Sequence, residues 1–313
     1  MKNSFYFLII IGFIISCKTI DKTKNSTSEK FYWANDTING KYIEKAAMFV
    51  PFNINDLRKG LFAQFDLGSN VTIIYQNNLK EIPELNSLKL DSLNYQNEQG
   101  KELFIIKKSN IQIGQIQLDT LDIYGIYDYG KKFTPDTNNS PQDNSIGTIG
   151  SDILQDKVLI IDFPNQKITI LDSIDEKIKS NFSLVKSKLI NNRIIVPFNI
   201  NGDLKHFMYD TGASLFPMVT TKSIWNYSTN KKIIDSLNVG NFGRPIKLKG
   251  AKATIVINID KKNFNSFNIY YVKDNLFDKM FTQIGCDGII GNKLFFDKKI
   301  LIDYKENIFG VSN

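Results

Sequence analysis

Two short stretches hold the residues best suited to chemistry, Asp66-Leu67-Gly68-Ser69 and Asp210-Thr211-Gly212-Ala213-Ser214. Each follows an apolar run, and each sets a glycine two residues after the aspartate, where a missing side chain lets the backbone turn tightly and approach a carboxylate. Two carboxylates held side by side cannot both ionise cheaply, so they share a proton and can work as an acid/base pair. Other catalytic schemes have little to draw on. His206 is the sole histidine, the chain has two cysteines, and neither residue type falls at metal-ligand spacing. No Gly-x-Ser-x-Gly elbow accompanies His206, which reads as a strand residue near a hairpin. No metal or cofactor is therefore expected.

The elements that must bring the aspartates together are written twice. Val-Pro-Phe-Asn-Ile-Asn occurs at 50–55 and again at 196–201, each copy leading into one Asp-x-Gly. Asp66 and Asp210 lie 144 residues apart, as do the two copies of Asp-Ser-Leu-Asn that begin at Asp91 and Asp235. Gly147-Thr148-Ile149-Gly150 answers Gly288-Ile289-Ile290-Gly291, and Ile161-Asp162-Phe163 answers Ile302-Asp303-Tyr304. Blocks recurring in one order at nearly constant spacing indicate an internal duplication. A duplicated unit with one carboxylate per copy can bring the pair together across a pseudo-twofold axis.

Strand signals dominate both copies. Short apolar or alternating runs broken by Asn, Asp and Gly predict strands at 47–54, 60–66, 72–75, 104–107, 111–116 and 121–126. The second copy repeats them at 193–200, 205–209, 247–258, 267–272 and 300–304, with short helices at 151–155, 220–225 and 292–296. The fold expected is mainly β, as two similar lobes related by duplication. A length of 313 residues suits two domains of about 150 residues each. The first lobe is set at 41–175, the polar segment 176–192 is the linker between lobes, and the second lobe is 193–313.

The net charge of +7 comes from scattered lysines, with no Arg-rich block or RNP-like aromatic motif, so a nucleic-acid site is not supported. The amino-terminal segment says more. Lys2 precedes an apolar run over 5–15, shorter than a bilayer span and shaped like a signal-peptide core. It ends Ile14-Ile15-Ser16-Cys17, similar to the bacterial lipobox, with an ordinary signal peptide or short anchor as the alternative. That similarity implies a signal peptide at 1–16, lipidation of Cys17, a flexible tether over 17–40, and an exported lipoprotein held at the cell envelope by acyl chains. Cys286 is then left alone in an apolar, Gly-rich stretch and is expected to be buried and inert.

The run Phe207-Met208-Tyr209-Asp210-Thr211-Gly212-Ala213-Ser214 resembles the active-site loop of aspartic peptidases, retropepsin-like and pepsin-like alike. Asp287-Gly288-Ile289-Ile290-Gly291-Asn292-Lys293-Leu294 resembles the strand and short helix that lie behind that loop in the family, and the likeness extends over 47–311. The resemblance implies two β-barrel-like lobes with the site between them, and an endopeptidase whose catalytic residues are Asp66 and Asp210. Gly68, Ser69, Thr211, Gly212 and Ser214 then support the site. It implies one chain that supplies both carboxylates as a monomer, a peptide or protein substrate, and a flap retained or lost in each lobe, with hairpin candidates at 95–100 and 239–245 for which an ordinary surface hairpin is the alternative.

Two departures from the family pattern stand out. Leu67 occupies a position usually held by Thr or Ser, whose hydroxyl braces the opposite lobe. Ser69 matches a position whose hydroxyl bonds the neighbouring carboxylate, whereas its counterpart Ala213 cannot, so Asp66 is expected to be the more acidic member and Asp210 to carry the shared proton. The alternative reading is a noncatalytic protein that binds peptide or protein on the same scaffold.

Overall fold

A computed structural model of the chain describes residues 27–313 apart from 58–59, 81, 98, 133–135, 137–139, 242–243 and 274. The expected signal peptide, Cys17 and the tips of both expected flaps lie outside the described residues. The architecture is mainly β, built on two large sheets and a third that joins them. Among the described residues, no helix is long and apolar enough to cross a membrane.

The two large sheets follow one plan. The first runs Asp91–Gln96, Glu102–Ser109, Leu121–Ile126, Ile73–Tyr75, Ser145–Ile149, Phe62–Phe65, Lys41–Ile54, Ile111–Ile113, Ile116–Gln117. The second runs Thr229–Asn241, Arg244–Ala253, Asn268–Val272, Met218–Thr220, Gly288–Gly291, Asp203–Asp210, Arg193–Ile200, Ile257–Ile259, Lys262–Phe264. Parallel pairs fall at the same two places in each order. Neither pairing path closes on itself. Apolar side chains at alternate positions explain the strands: in Arg193–Ile200, Ile194, Val196, Phe198 and Ile200 all turn into the core.

The third sheet has six antiparallel strands drawn from both halves, in the order Ser28–Lys30, Lys167–Leu171, Val158–Asp162, Lys299–Asp303, Ile308–Ser312, Phe182–Lys186. At its centre Val158–Asp162 pairs with Lys299–Asp303, joining one strand from each half of the chain. Tyr209 and Phe309 bring their ring centroids to 5.3 Å, tying this sheet to the second one just before Asp210.

Two expected boundaries change. The tether set at 17–40 does not include 28–40, because Ser28–Lys30 pairs with Lys167–Leu171 and Tyr32–Ile38 forms a hairpin with Lys41–Ile54. Phe31 and Ile38 are buried, and that burial orders the segment despite its polar composition. The linker set at 176–192 is equally structured: helix Glu176–Lys179 is capped by the Asp175 side chain, Phe182–Lys186 is an edge strand, and Lys188–Ile190 pairs with Arg193–Ile200. The longest described helix, Asn275–Ile284, was not expected, nor were the shorter Gln76–Leu79, Pro83–Ser87 and Glu176–Lys179; in the longest, Phe277, Phe281 and Ile284 repeat along one face, which packs on the second sheet's core.

Candidate active site

Each aspartate stands where a strand ends. Phe62–Phe65 runs straight into Asp66, and Asp210 closes Asp203–Asp210 before a single 3-10 turn, Thr211–Ala213. The strands Ser145–Ile149 and Gly288–Gly291 lie parallel to these and hold the loops from behind. Their closing glycines are dictated by space. A β-carbon on Gly150 would come within 2.4 Å of the Val71 carbonyl, and one on Gly291 within 2.1 Å of the Ala213 carbonyl.

The two loops meet with near-twofold symmetry. The Asp66 and Asp210 carboxyls lie close enough for each to shift the other's titration. Gly68 packs against the Asp210 carboxyl and Gly212 against that of Asp66, so closely that a β-carbon on either glycine would lie 2.5 Å from the opposing Cγ. Asp66 Oδ1 accepts the amides of Gly68 at 3.0 Å and Ser69 at 3.1 Å, and Asp210 Oδ1 accepts the amide of Gly212 at 2.8 Å. Asp66, Gly68, Asp210 and Gly212 stay partly open to solvent while Leu67, Ser69, Thr211 and Ser214 are buried. The carboxyls therefore form an accessible floor on a buried brace.

That brace is one-sided. Thr211 Oγ1 donates to the Phe65 carbonyl at 2.7 Å and accepts the Leu67 amide at 2.9 Å, crossing between the sheets. Leu67 is fully buried and returns apolar contact alone. Asn292 fixes the second loop from beneath, donating to Thr211 O at 3.0 Å and Ser214 Oγ at 2.8 Å while accepting the Tyr209 hydroxyl at 2.9 Å. The first loop is fixed differently: Asp152 accepts the Thr72 amide at 2.8 Å and the Thr72 hydroxyl at 2.7 Å, and Ser151 Oγ donates to Ser69 O.

The hydrogen bond on which the expected proton placement rested is not made. The Ser69 hydroxyl donates to the Val71 carbonyl at 2.7 Å and leaves the carboxylate to backbone amides. Burial raises both carboxyls, and Asp66 is raised the further, because the neighbouring Asp210 charge adds to its burial while two amides favour its ionised form. Asp210 is held lower within the pair by its neighbour Asp66 and by the amides of Gly212, Gly68 and Ala213. Both carboxyls are thus pushed up by burial and by each other, so the pair holds one shared proton to higher pH than a free carboxyl would.

Sequence reasoning missed Arg193, whose partners are distant in the chain. Its Nε donates to Gly68 O at 2.6 Å and its Nη2 to Asn70 Oδ1 at 3.0 Å, so a residue that opens a strand of the second sheet clamps the loop of the first. Burial lowers its pKa, while Asp210 and Asp66 act the other way and favour its charge. Cys286 is partly rather than fully buried, and burial raises its thiol pKa, which keeps it protonated. His206 is a strand residue whose amide donates to Asp287 Oδ2. Among the described residues, no group of three or more His, Cys, Asp and Glu could hold a metal ion. No protein-family model matches the chain, and no curated protein matches it.

Proposed function

We propose that the chain is a bilobal aspartic peptidase descended from a duplicated unit, hydrolysing peptide bonds with a water activated between Asp66 and Asp210. What supports this reading most is the reciprocal packing at the pair: two neighbouring carboxyls, each covered by the other loop's glycine. The shared strand order of the two large sheets supports the duplication. In this mechanism ionised Asp210 takes a proton from water as the oxygen attacks the peptide carbonyl. Protonated Asp66 donates to the carbonyl oxygen, giving a neutral tetrahedral diol. Collapse of the diol then breaks the C–N bond, with Asp210 returning its proton to the departing amine and Asp66 recovering one from a diol hydroxyl. Gly68 and Gly212 keep side chains out of the space the reacting atoms need.

Lipid anchoring through Cys17 after export belongs to the same proposal, on the lipobox-like sequence. A second reading, peptide or protein binding without cleavage, is favoured by Leu67, which leaves the brace with one hydroxyl where symmetry would supply two. Cleavage of an unfolded protein at mildly acid to neutral pH, with and without pepstatin, separates the two. Wild type is expected to cleave and Asp210→Asn to be inactive. Equal cleavage by both would remove Asp210 from the mechanism, and no cleavage by wild type would favour the binding reading.

A further inference from the structure

The two large sheets differ at one end of the cleft. In the second, Lys188–Ile190 and Arg193–Ile200 turn at once through Asn191 and Asn192, both at positive φ, directly after the pair Ile190 and Arg193. In the first, the corresponding hairpin passes the pair Ala34 and Ala47, bulges, and continues through Asp36 with Ile43, Thr37 with Tyr42, and Ile38 with Lys41 before turning at Asn39-Gly40. The added arm crosses to the second sheet. Ile38 is buried in that sheet's apolar cluster with Phe216 and Leu237, Lys41 Nζ lies 3.6 Å from Asp235, and the Asn39 side chain donates to the Ser236 carbonyl. Asp235 is held in turn by the Tyr270 hydroxyl at 3.0 Å.

The arm thereby walls off a pocket of about 270 Å³ that begins at Gly212, beside the Asp66 carboxyl, and ends at Ile38 and Val239. This is slightly below the size of drug-like pockets, which begin at about 300 Å³. At the other end of the cleft the chain turns back at Asn191-Asn192, and Arg193 lies on Gly68 and Asn70. Asp36 is the one charged residue among those described that line the walled pocket, and it is exposed at the rim.

We infer that the hairpin arm makes the cleft blind at its Gly212 end, so that the site receives the free amino end of a peptide there and acts within a few residues of it. This rests on the peptidase reading and narrows it from internal bonds to bonds near a chain end. A chain running past the pocket meets Ile38, on an arm that the Lys41-Asp235 bridge ties to the second sheet, whereas a terminal ammonium meets the Asp36 carboxylate.

The test is retention of a random peptide library, in free-amino and Nα-acetylated forms, on the full-length Asp210→Asn protein. Free-amino peptides should be retained about fivefold better, the scale of one solvent-exposed charge pair, and peptides with a bulky amino-terminal block should be lost. Asp36→Lys, an exposed change that spares the fold, should reverse the preference. Replacing residues 35–46 by a two-residue Asn-Asn turn should admit blocked peptides. Equal retention of free, acetylated and blocked peptides by the unshortened protein overturns the inference. Wild-type cleavage is scored separately. Cuts spread through the interior of an unfolded protein would sink the blind end and leave the peptidase standing; free-end retention without cleavage would keep the blind end and count against the peptidase.

Discussion

The Leu67 amide donates to the Thr211 hydroxyl at 2.9 Å, and the same hydroxyl donates to Phe65 O at 2.7 Å, while the Leu67 side chain offers nothing in exchange. One hydroxyl therefore serves two buried backbone groups across the junction. Thr211→Val keeps the shape and strands both, at a cost of about 2 to 4 kcal/mol. Thr211→Ser should recover most of it. Urea unfolding of the three proteins checks this, and a valine variant as stable as wild type would show that the junction does not depend on the brace.

The pair's protonation sets a stability profile. Asp66 has a folded pKa raised above its unfolded value near about 4, so between those two values the folded state holds the extra proton. Stability is full below the unfolded pKa and falls as pH rises through the folded one. Asp66→Asn removes the titration, so its unfolding free energy should decline less over that window and exceed wild type above it. Chemical denaturation across the pH range reads this directly; parallel wild-type and Asn curves would refute it.

Neutron diffraction offers a direct view of the same asymmetry. The shared proton is expected on Asp66, because Asp210 faces the amides of Gly212, Gly68 and Ala213. Density for it on Asp210 would instead restore the assignment read from Ser69 and Ala213.

Gly68 and Gly212 carry a steric prediction. Alanine at either position puts a β-carbon 2.5 Å from the opposing carboxyl carbon and must push the pair apart. A displacement near 1 Å costs about 10²-fold in rate, so both variants should lose at least that much kcat/KM while remaining folded by circular dichroism.

Arg193 acts on the pair through charge and through the loop it holds. A cation favours ionised carboxyls, so Arg193→Met should raise both pKa values and move the alkaline limb of the pH–rate profile upward. Arg193→Lys keeps the charge but loses the two-point grip on Gly68 O and Asn70, so its limb should stay in place while activity falls. Identical profiles for all three proteins would reduce Arg193 to a structural contact.

Much of this was legible in the sequence where information is local. Arg193–Ile200 and Leu121–Ile126 match their expected bounds because apolar residues recur along short segments bounded by turn residues. The repeated Asp-x-Gly and Gly-x-x-Gly blocks located both loops and the strands behind them. What stayed hidden depends on partners far along the chain. Residues 28–38 read as a polar tether, although Asn39-Gly40 between Ile38 and Lys41 is a strong hairpin signal that could have corrected it. Phe182–Lys186 is a strand only because Ile308–Ser312 lies beside it. The grip of Arg193 and the triple role of Asn292 follow from juxtapositions that no local pattern encodes. The Ser69 hydroxyl shows the opposite hazard, since a position matched by resemblance found a different acceptor.

The central seam of the joining sheet bears on timing. Val158 pairs with Asp303 and Asp162 with Lys299, so the closing strand of the first half has no neighbour on that side until nearly the whole chain exists. Such distant pairings form slowly, because a long loop must close before any contact rewards it. A ribosome-bound chain can carry Asp66 without the strand Gly288–Gly291 that backs the Asp210 loop. The molecule is in this respect self-timed: its two carboxyls come together only once nearly the whole chain has been made, and a partly synthesised chain holds the first without the second in place.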